Sequence, residues 1–232
     1  GVTDTNNVSD IFLYDRDTTT NQLVSHAAGL PNATADYDSY SMDMSPTGEY
    51  VVLSSKASNL VTGQSDPNNN SESLNVFLWK RIGSETTLIS RSFGIGNEAT
   101  EANGFSFNST VSSNGQYVTF DSSSSDLVDG QSGGNDIYNV FRFDQTTGEI
   151  LLVSHGPGSP LAALGGYAPV INATGDSIFF RAGDAPLASG VVDRNGFWDL
   201  YVYSADTDSN AVVTRRAPAL PGLTGNGFSD LP

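Results

Sequence analysis

The chain has 232 residues, and 26 acidic against 10 basic side chains leave it at −16 near neutral pH. The few lysines and arginines are spread along its length, so it lacks the clustered cations that grip a nucleic-acid backbone or an anionic membrane, and both partners are excluded. No cysteine means no disulfide framework, no thiolate metal site and no cysteine nucleophile.

At 38% apolar residues the chain can bury a respectable core. Only Lys56 and Lys80 represent lysine among abundant Ser, Thr, Asn, Asp and Gly, a surface that suits a secreted, cell-surface or periplasmic protein. No apolar run approaches the roughly 18 residues needed to span a bilayer. Gly1-Val2-Thr3-Asp4 resembles neither an initiator methionine nor a signal peptide, and reads as a processed or excised start.

Taken from the N-terminus, the chain is a repeat. Ile11-Phe12-Leu13-Tyr14-Asp15 returns as Val76-Phe77-Leu78-Trp79-Lys80, Val140-Phe141-Arg142-Phe143-Asp144 and Leu200-Tyr201-Val202-Tyr203-Ser204. Each copy is followed, fifteen residues after its start, by a basic side chain: His26, Arg91, His155 and Arg215. Residues 1–30 hold only the third and fourth strands of a unit. The first full unit, 31–95, reads as four short strands at about 38–45, 49–55, 74–80 and 85–91, with one long loop between the second and third.

Units 96–158 and 159–217 repeat this plan, and Asn226-Gly227-Phe228-Ser229 in 218–232 echoes Asn103-Gly104-Phe105-Ser106 ahead of a next first strand. Thr47-Gly48, Asn114-Gly115 and Thr174-Gly175 are hairpin-turn signals, because glycine accepts a positive φ without steric cost. Leu60, Leu127 and Leu187 stand as apolar pins in the long loops, each three residues before a glycine. No stretch has helical periodicity.

Four-stranded antiparallel units repeating about every 60 residues predict an all-β fold: a single partial β-propeller of about three and a half blades. The motifs Tyr117-Val118-Thr119-Phe120, Ser58-Asn59-Leu60, Asp4-Thr5-Asn6-Asn7-Val8-Ser9-Asp10-Ile11-Phe12 and Leu152-Val153-Ser154 resemble those of TolB-like, WD-repeat-like bacterial propeller repeats. The resemblance spans nearly the whole chain. It departs where Thr or Asn replaces the Asp of the family's Asp-Gly turn and where the loop at 64–73 is lengthened. A closed ring of this family is expected to need six or more blades, so the chain is expected to be a slice of a longer polypeptide or to close by pairing with a second copy.

Asp-x-Asn-x-x-x-Asp, at Asp4/Asn6/Asp10 and Asp193/Asn195/Asp199, is the pattern with the most chemistry in it; weaker forms stand at Asp66/Asn68/Asn75 and Asn135/Asn139. Three oxygen-bearing side chains on one short loop can wrap Ca2+. The plain alternative is that they hydrogen-bond their own backbone as Asx-turns. The two histidines share a repeat position with Arg91 and Arg215, so they read as basic residues closing a fourth strand against a nearby carboxylate rather than as a site used once.

Ser25-His26 and Ser154-His155 are neighbours on a strand, whose side chains point to opposite faces, so neither is read as a nucleophile with its base. The paired aromatics Phe12/Tyr14, Phe77/Trp79, Phe141/Phe143 and Tyr201/Tyr203 share a strand face and are expected to pack between neighbouring blades rather than bind carbohydrate. The resulting expectation is a non-catalytic binding or structural scaffold, calcium-stabilised in one reading, whose partner is a protein or another copy of itself. The alternatives are the propeller portion of a hydrolase or lyase whose active site lies mostly elsewhere, and a self-assembling extracellular subunit.

Overall fold

The computed structural model describes residues 4, 6–67, 73–94, 96, 98–133, 137–183, 186–192 and 196–214. Among these every regular element is a strand, and no helix is long and apolar enough to cross a membrane. β1 (Phe12–Asp15) and β2 (Thr20–Leu23) form a front hairpin. The first four-stranded sheet consists of β3 (Ser39–Met44), β4 (Tyr50–Ser55), β5 (Asn75–Lys80) and β6 (Glu85–Leu88). The second has β7 (Ser106–Val111) and β8 (Tyr117–Ser122), then, after the short β9 (Ser132–Gly133), β10 (Asn139–Asp144) and β11 (Ile150–Leu152). β12 (His155–Gly156) and β13 (Ser159–Ala163) lead into the third sheet: β14 (Tyr167–Ile171), β15 (Ser177–Ala182), β16 (Asp199–Ser204) and β17 (Ser209–Val212).

All three large sheets are antiparallel meanders in chain order. The strands expected at 38–45, 49–55 and 74–80 are present. The fourth ends at Leu88 instead of 91, because the Ile89 and Ser90 amides both turn to the Val76 carbonyl and the Ser90 hydroxyl accepts the Val76 amide, which closes the ladder.

Period-two alternation decides how the sheets meet. Val51 and Leu53 of β4 join Phe77 and Trp79 of β5 in a core layer shared with the front hairpin through Ile11 and Val24. Their neighbours Val52, Val76 and Leu78 point the other way, into a layer with Val118, Phe120, Phe141 and Phe143. A third layer joins Val140 and Val153 to Ile178, Phe180, Tyr201 and Tyr203. The core is therefore divided into slabs between successive sheets, and the inner strands are apolar on both faces for that reason.

The turn glycines do more than turn. Gly115 and Gly175 have φ of 72° and 81°, and an added Cβ would stand 2.2 Å from the Tyr50 ring and 2.0 Å from the Tyr117 ring. The first hairpin turn of one sheet thus seats on the tyrosine that begins the second strand of the sheet before it. In the long loops Leu60, Leu127 and Leu187 are buried as expected. Gly156-Pro157-Gly158, between the second and third large sheets, sits in the β12–β13 hairpin, whose second strand runs parallel to β9. Bridges His26↔Thr34, Arg91↔Glu101 and Ser65↔Thr100 are shorter versions of the same device.

Candidate functional site

The Asp/Asn residues ahead of each third strand are fastened by a recurring pair of bonds. The Ser25 hydroxyl donates to Asp10 Oδ1 at 2.9 Å and accepts the Ile11 amide at 2.9 Å. Ser90 does the same with Asn75 and Val76, Ser154 with Asn139 and Val140, and Thr214 with Asp199 and Leu200. One hydroxyl thereby ties the end of a fourth strand to the start of a third, in all four units.

Asp4 Oδ1 accepts the Asn6 amide at 3.1 Å and Asn6 Oδ1 accepts the Val8 amide at 3.1 Å, both local Asx-turn bonds. Asn6 Nδ2 reaches further and donates to the Ala35 carbonyl. Burial raises the Asp10 carboxyl, with the Ser25 bond opposing it and the charges of Asp4 and Asp38 adding to it. Asp193, Asn195, Asn68 and Asn135 lie outside the described residues. Among those described, no group of three or more His, Asp or Glu side chains is placed to hold a metal ion.

The basic residues form clasps between sheets. His26 Nδ1 contacts the Ala27 carbonyl at 3.0 Å and Nε2 lies 2.9 Å from Ser84 Oγ, in the turn between β5 and β6 of the next sheet. Arg91 donates to the Gly148 carbonyl at 2.6 Å and lies over the Phe143 ring. His155 Nδ1 contacts Gly156 O, and Nε2 meets Asp208 Oδ1 at 3.2 Å. Among the described residues His155 makes a close contact with a carboxylate, as the sequence leads one to expect; His26 takes a hydroxyl and Arg91 a backbone carbonyl, with the Glu98 charge acting on the guanidinium, since what faces the clasp is whatever residue holds that turn.

Ser84, Gly148 and Asp208 all hold left-handed backbone, with φ of 51°, 75° and 44°. Ser84 and His26 have the spacing of a nucleophile and its base, yet their counterparts are Gly148 with Arg91 and Asp208 with His155, so the contact is a clasp. Arg215 lies outside the described residues.

Sequence reasoning missed Asp121. It sits on β8 with no solvent exposure; Oδ2 accepts Asn108 Nδ2 at 2.9 Å and the Ala168 amide at 2.9 Å, while Oδ1 has no hydrogen-bond partner among the described residues. Burial pushes its carboxyl up to about 6 against the lowering effect of these two bonds and of the Arg181 charge. Asn108 and Ala168 occupy bulges on the first strands β7 and β14, each at φ 49°. Nearby, Phe107, Tyr138, Tyr167 and Trp198 form a row with successive ring centroids 4.9, 5.8 and 5.0 Å apart, ending under the Arg181 guanidinium. The available signal was a break in the repeat: Ser54, Asp121 and Arg181 share one position on the second strand.

This site is a seam between the second and third sheets. Its acid is sealed from solvent, and the Trp198 ring is stacked on Tyr167 at 9° while Arg181 lies 4.4 Å from its centroid. What it can do chemically is hold one sheet to the next through the Ala168 amide on Asp121 Oδ2 and the stacked ring row.

No protein-family model matches the chain, and no curated protein matches it. Among solved structures it is similar to TolB from Acinetobacter baumannii, with 13% identity, a TM-score of 0.45, and coverage of 88% of this chain and 37% of that one. The putative TolB from Agrobacterium tumefaciens gives 15% identity and 0.45, covering 88% of this chain and 59% of that one. The tricorn protease gives 13% and 0.45 over 84% of this chain and 15% of that one. The chain thus spans less than two thirds of each of these proteins. The class its own topology defines is an all-β repeat of four-stranded antiparallel sheets.

Proposed function

We propose that the chain is a non-catalytic segment of a β-propeller, about three and a half blades long, serving as a binding and structural scaffold in a secreted, cell-surface or periplasmic protein. The observation that carries this reading is the fourfold hydroxyl fastener. At the repeat positions where chemistry was sought, Asp10, Asn75, Asn139 and Asp199 each take a bond that joins strand to strand, and His26, Arg91 and His155 each take one that joins sheet to sheet. The acidic, lysine-poor composition supports the placement outside the cytoplasm, and the exposed Phe12 and Tyr14 of the front hairpin support a protein partner.

The test is a screen of ester, glycoside and uronide substrates with the wild-type chain and with Asp121→Asn, Asp10→Asn and His155→Gln. The scaffold reading expects no turnover that any of these substitutions removes. Turnover abolished by Asp121→Asn in a folded variant overturns it in favour of a hydrolase or lyase.

A further inference from the structure

The second large sheet, which has a sheet packed on each side of it, carries a notch of about 430 Å3 at its outer rim. The notch lies between the connector that follows β6, the long loop beyond β8 and the outer strand β11, and Arg91, Phe93, Leu127, Asp129, Glu149 and Ile150 line it. The same place in the third sheet holds a notch of about 220 Å3, lined by His155, Leu187, Ser189, Ser209 and Asn210. The two are one device built twice, so the smaller serves as an internal control for the larger.

Asp129 stands where the third sheet has Ser189, Glu149 where it has Ser209, and Ile150 and Leu151 where it has Asn210 and Ala211. The first sheet puts Thr86 and Thr87 at the latter two positions and the front hairpin Asn21 and Gln22, so among the described units a pair of large aliphatic side chains on the outer strand occurs in the second sheet alone. Phe93 adds a ring at the mouth, 56% exposed. Charge separates the two notches as well. Arg91 and Arg142 line the larger one, but each is turned onto a backbone carbonyl and a ring, Arg91 onto Gly148 and Phe143 and Arg142 onto Gly175 and Tyr117. Four carboxylates, Glu98, Asp129, Asp144 and Glu149, outnumber them, and the side chains of Asp129 and Glu149 take no hydrogen bond or ion pair from any described residue. The main chain offers a further contact. The Asp144 and Val153 amides bond the Glu149 and Val140 carbonyls, which sets Leu151 against Arg142 and turns the amide and carbonyl of Ile150 away from β10.

We propose that this notch is a docking site for an extended segment of a partner protein in which lysine or arginine flanks aliphatic residues. The aliphatic side chains seat on Ile150, Leu151 and Phe93, the cations meet Asp129 and Glu149, and main-chain bonds form at Ile150. The inference rests on the scaffold reading, to which it adds the chemistry of the partner.

The probe is a labelled peptide, Lys-Leu-Lys-Val-Lys, titrated by fluorescence anisotropy at about 0.15 M salt, where attraction between distant exposed charges is screened. Saturable binding is expected, with none of Glu-Leu-Glu-Val-Glu, and with Lys-Gly-Lys-Gly-Lys about tenfold weaker for want of the aliphatic contacts. Asp129→Ser with Glu149→Ser gives the notch the rim of its neighbour and is expected to weaken binding about fivefold, whereas Asp17→Ser with Asp206→Ser removes the same charge elsewhere and is expected to leave it unchanged. Ile150→Asn with Leu151→Ala completes the exchange and is expected to remove what binding remains.

Asp129 and Glu149 take no part in the clasp, so the acid pair tests the notch even if the apolar pair loosens the core; circular dichroism and the thermal midpoint confirm that each variant folds. No saturable binding of Lys-Leu-Lys-Val-Lys, equal binding of either control peptide, or equal weakening by the two charge-removing pairs overturns the proposal. Full competition by spermidine at the peptide's own concentration overturns it in favour of a small polyamine. Turnover in the substrate screen sinks the scaffold reading and leaves the peptide isotherm as it is, so the two can fail separately.

Discussion

Asp121→Asn isolates the largest buried-acid effect among the described residues. Asparagine keeps the shape and an acceptor oxygen for the Ala168 amide, but it cannot ionise. With its carboxyl moved from the ordinary 3.8 to about 6 by burial, Asp121 binds its proton more tightly in the folded chain than in the unfolded one. The stability it confers is fully present below pH 4 and is lost as pH rises through about 6. A displacement of that size corresponds to roughly 3 kcal/mol between the two limits. Urea unfolding followed by fluorescence of the fully buried Trp79, at pH 4, 5, 6 and 7, gives the free energy for each protein. Other raised acids, Glu101 and Asp10 among them, contribute equally to both proteins and cancel in the difference. The variant is expected to lose roughly 2.5 kcal/mol less than wild type between pH 4 and 7, since a small part of the loss has already occurred by pH 4. Parallel profiles would refute the claim that the seam holds a buried, protonatable carboxyl.

Gly115→Ala is expected to cost about 1–2 kcal/mol through its left-handed backbone alone, with the Tyr50 contact adding to that; a thermal midpoint within a degree of wild type contradicts the seating of the turn. Ser154→Ala strands the Val140 amide inside the core and is expected to cost about 1–3 kcal/mol, and Ser25→Ala and Ser90→Ala are expected to fall in the same range if the fastener is one device. Excess chelator against millimolar calcium is expected to leave the thermal midpoint unchanged if Asp4, Asn6 and Asp10 serve only as turn and strand fasteners. A calcium-dependent rise that Asp10→Ala removes marks a native-state cation site there.

What could be read ahead of the structure was what is local or repeated. The turn glycines, the strand positions of the first unit and the loop leucines all depend on a few adjacent residues, and copying across units made them legible. The aromatics at Phe77, Trp79, Phe141, Phe143, Tyr201 and Tyr203 are buried between sheets as expected, while Phe12 and Tyr14, in the same register, are 47% and 58% exposed for want of a sheet on their side among the described residues. The β12–β13 hairpin escaped notice because its partner, β9, is a two-residue strand in a distant loop. Asp121 escaped because one of its bonds runs to Ala168 in the next sheet and the other to Asn108 in a bulge of its own sheet, and no periodicity encodes either. The clasp partners of His26 and Arg91 were misjudged for a related reason: the clasp position repeats, but the residue facing it does not.

Dividing the core into slabs between successive sheets has a mechanical consequence. Each sheet exchanges apolar contact only with its immediate neighbours, so cohesion is transmitted link by link as in a chain of plates. A sheet with slabs on both faces opens only when two links break, whereas among the described residues the front hairpin and the third large sheet are each held by one. Heat or pulling force applied to such a chain peels it from either of these inward, and damage at one link leaves distant sheets standing.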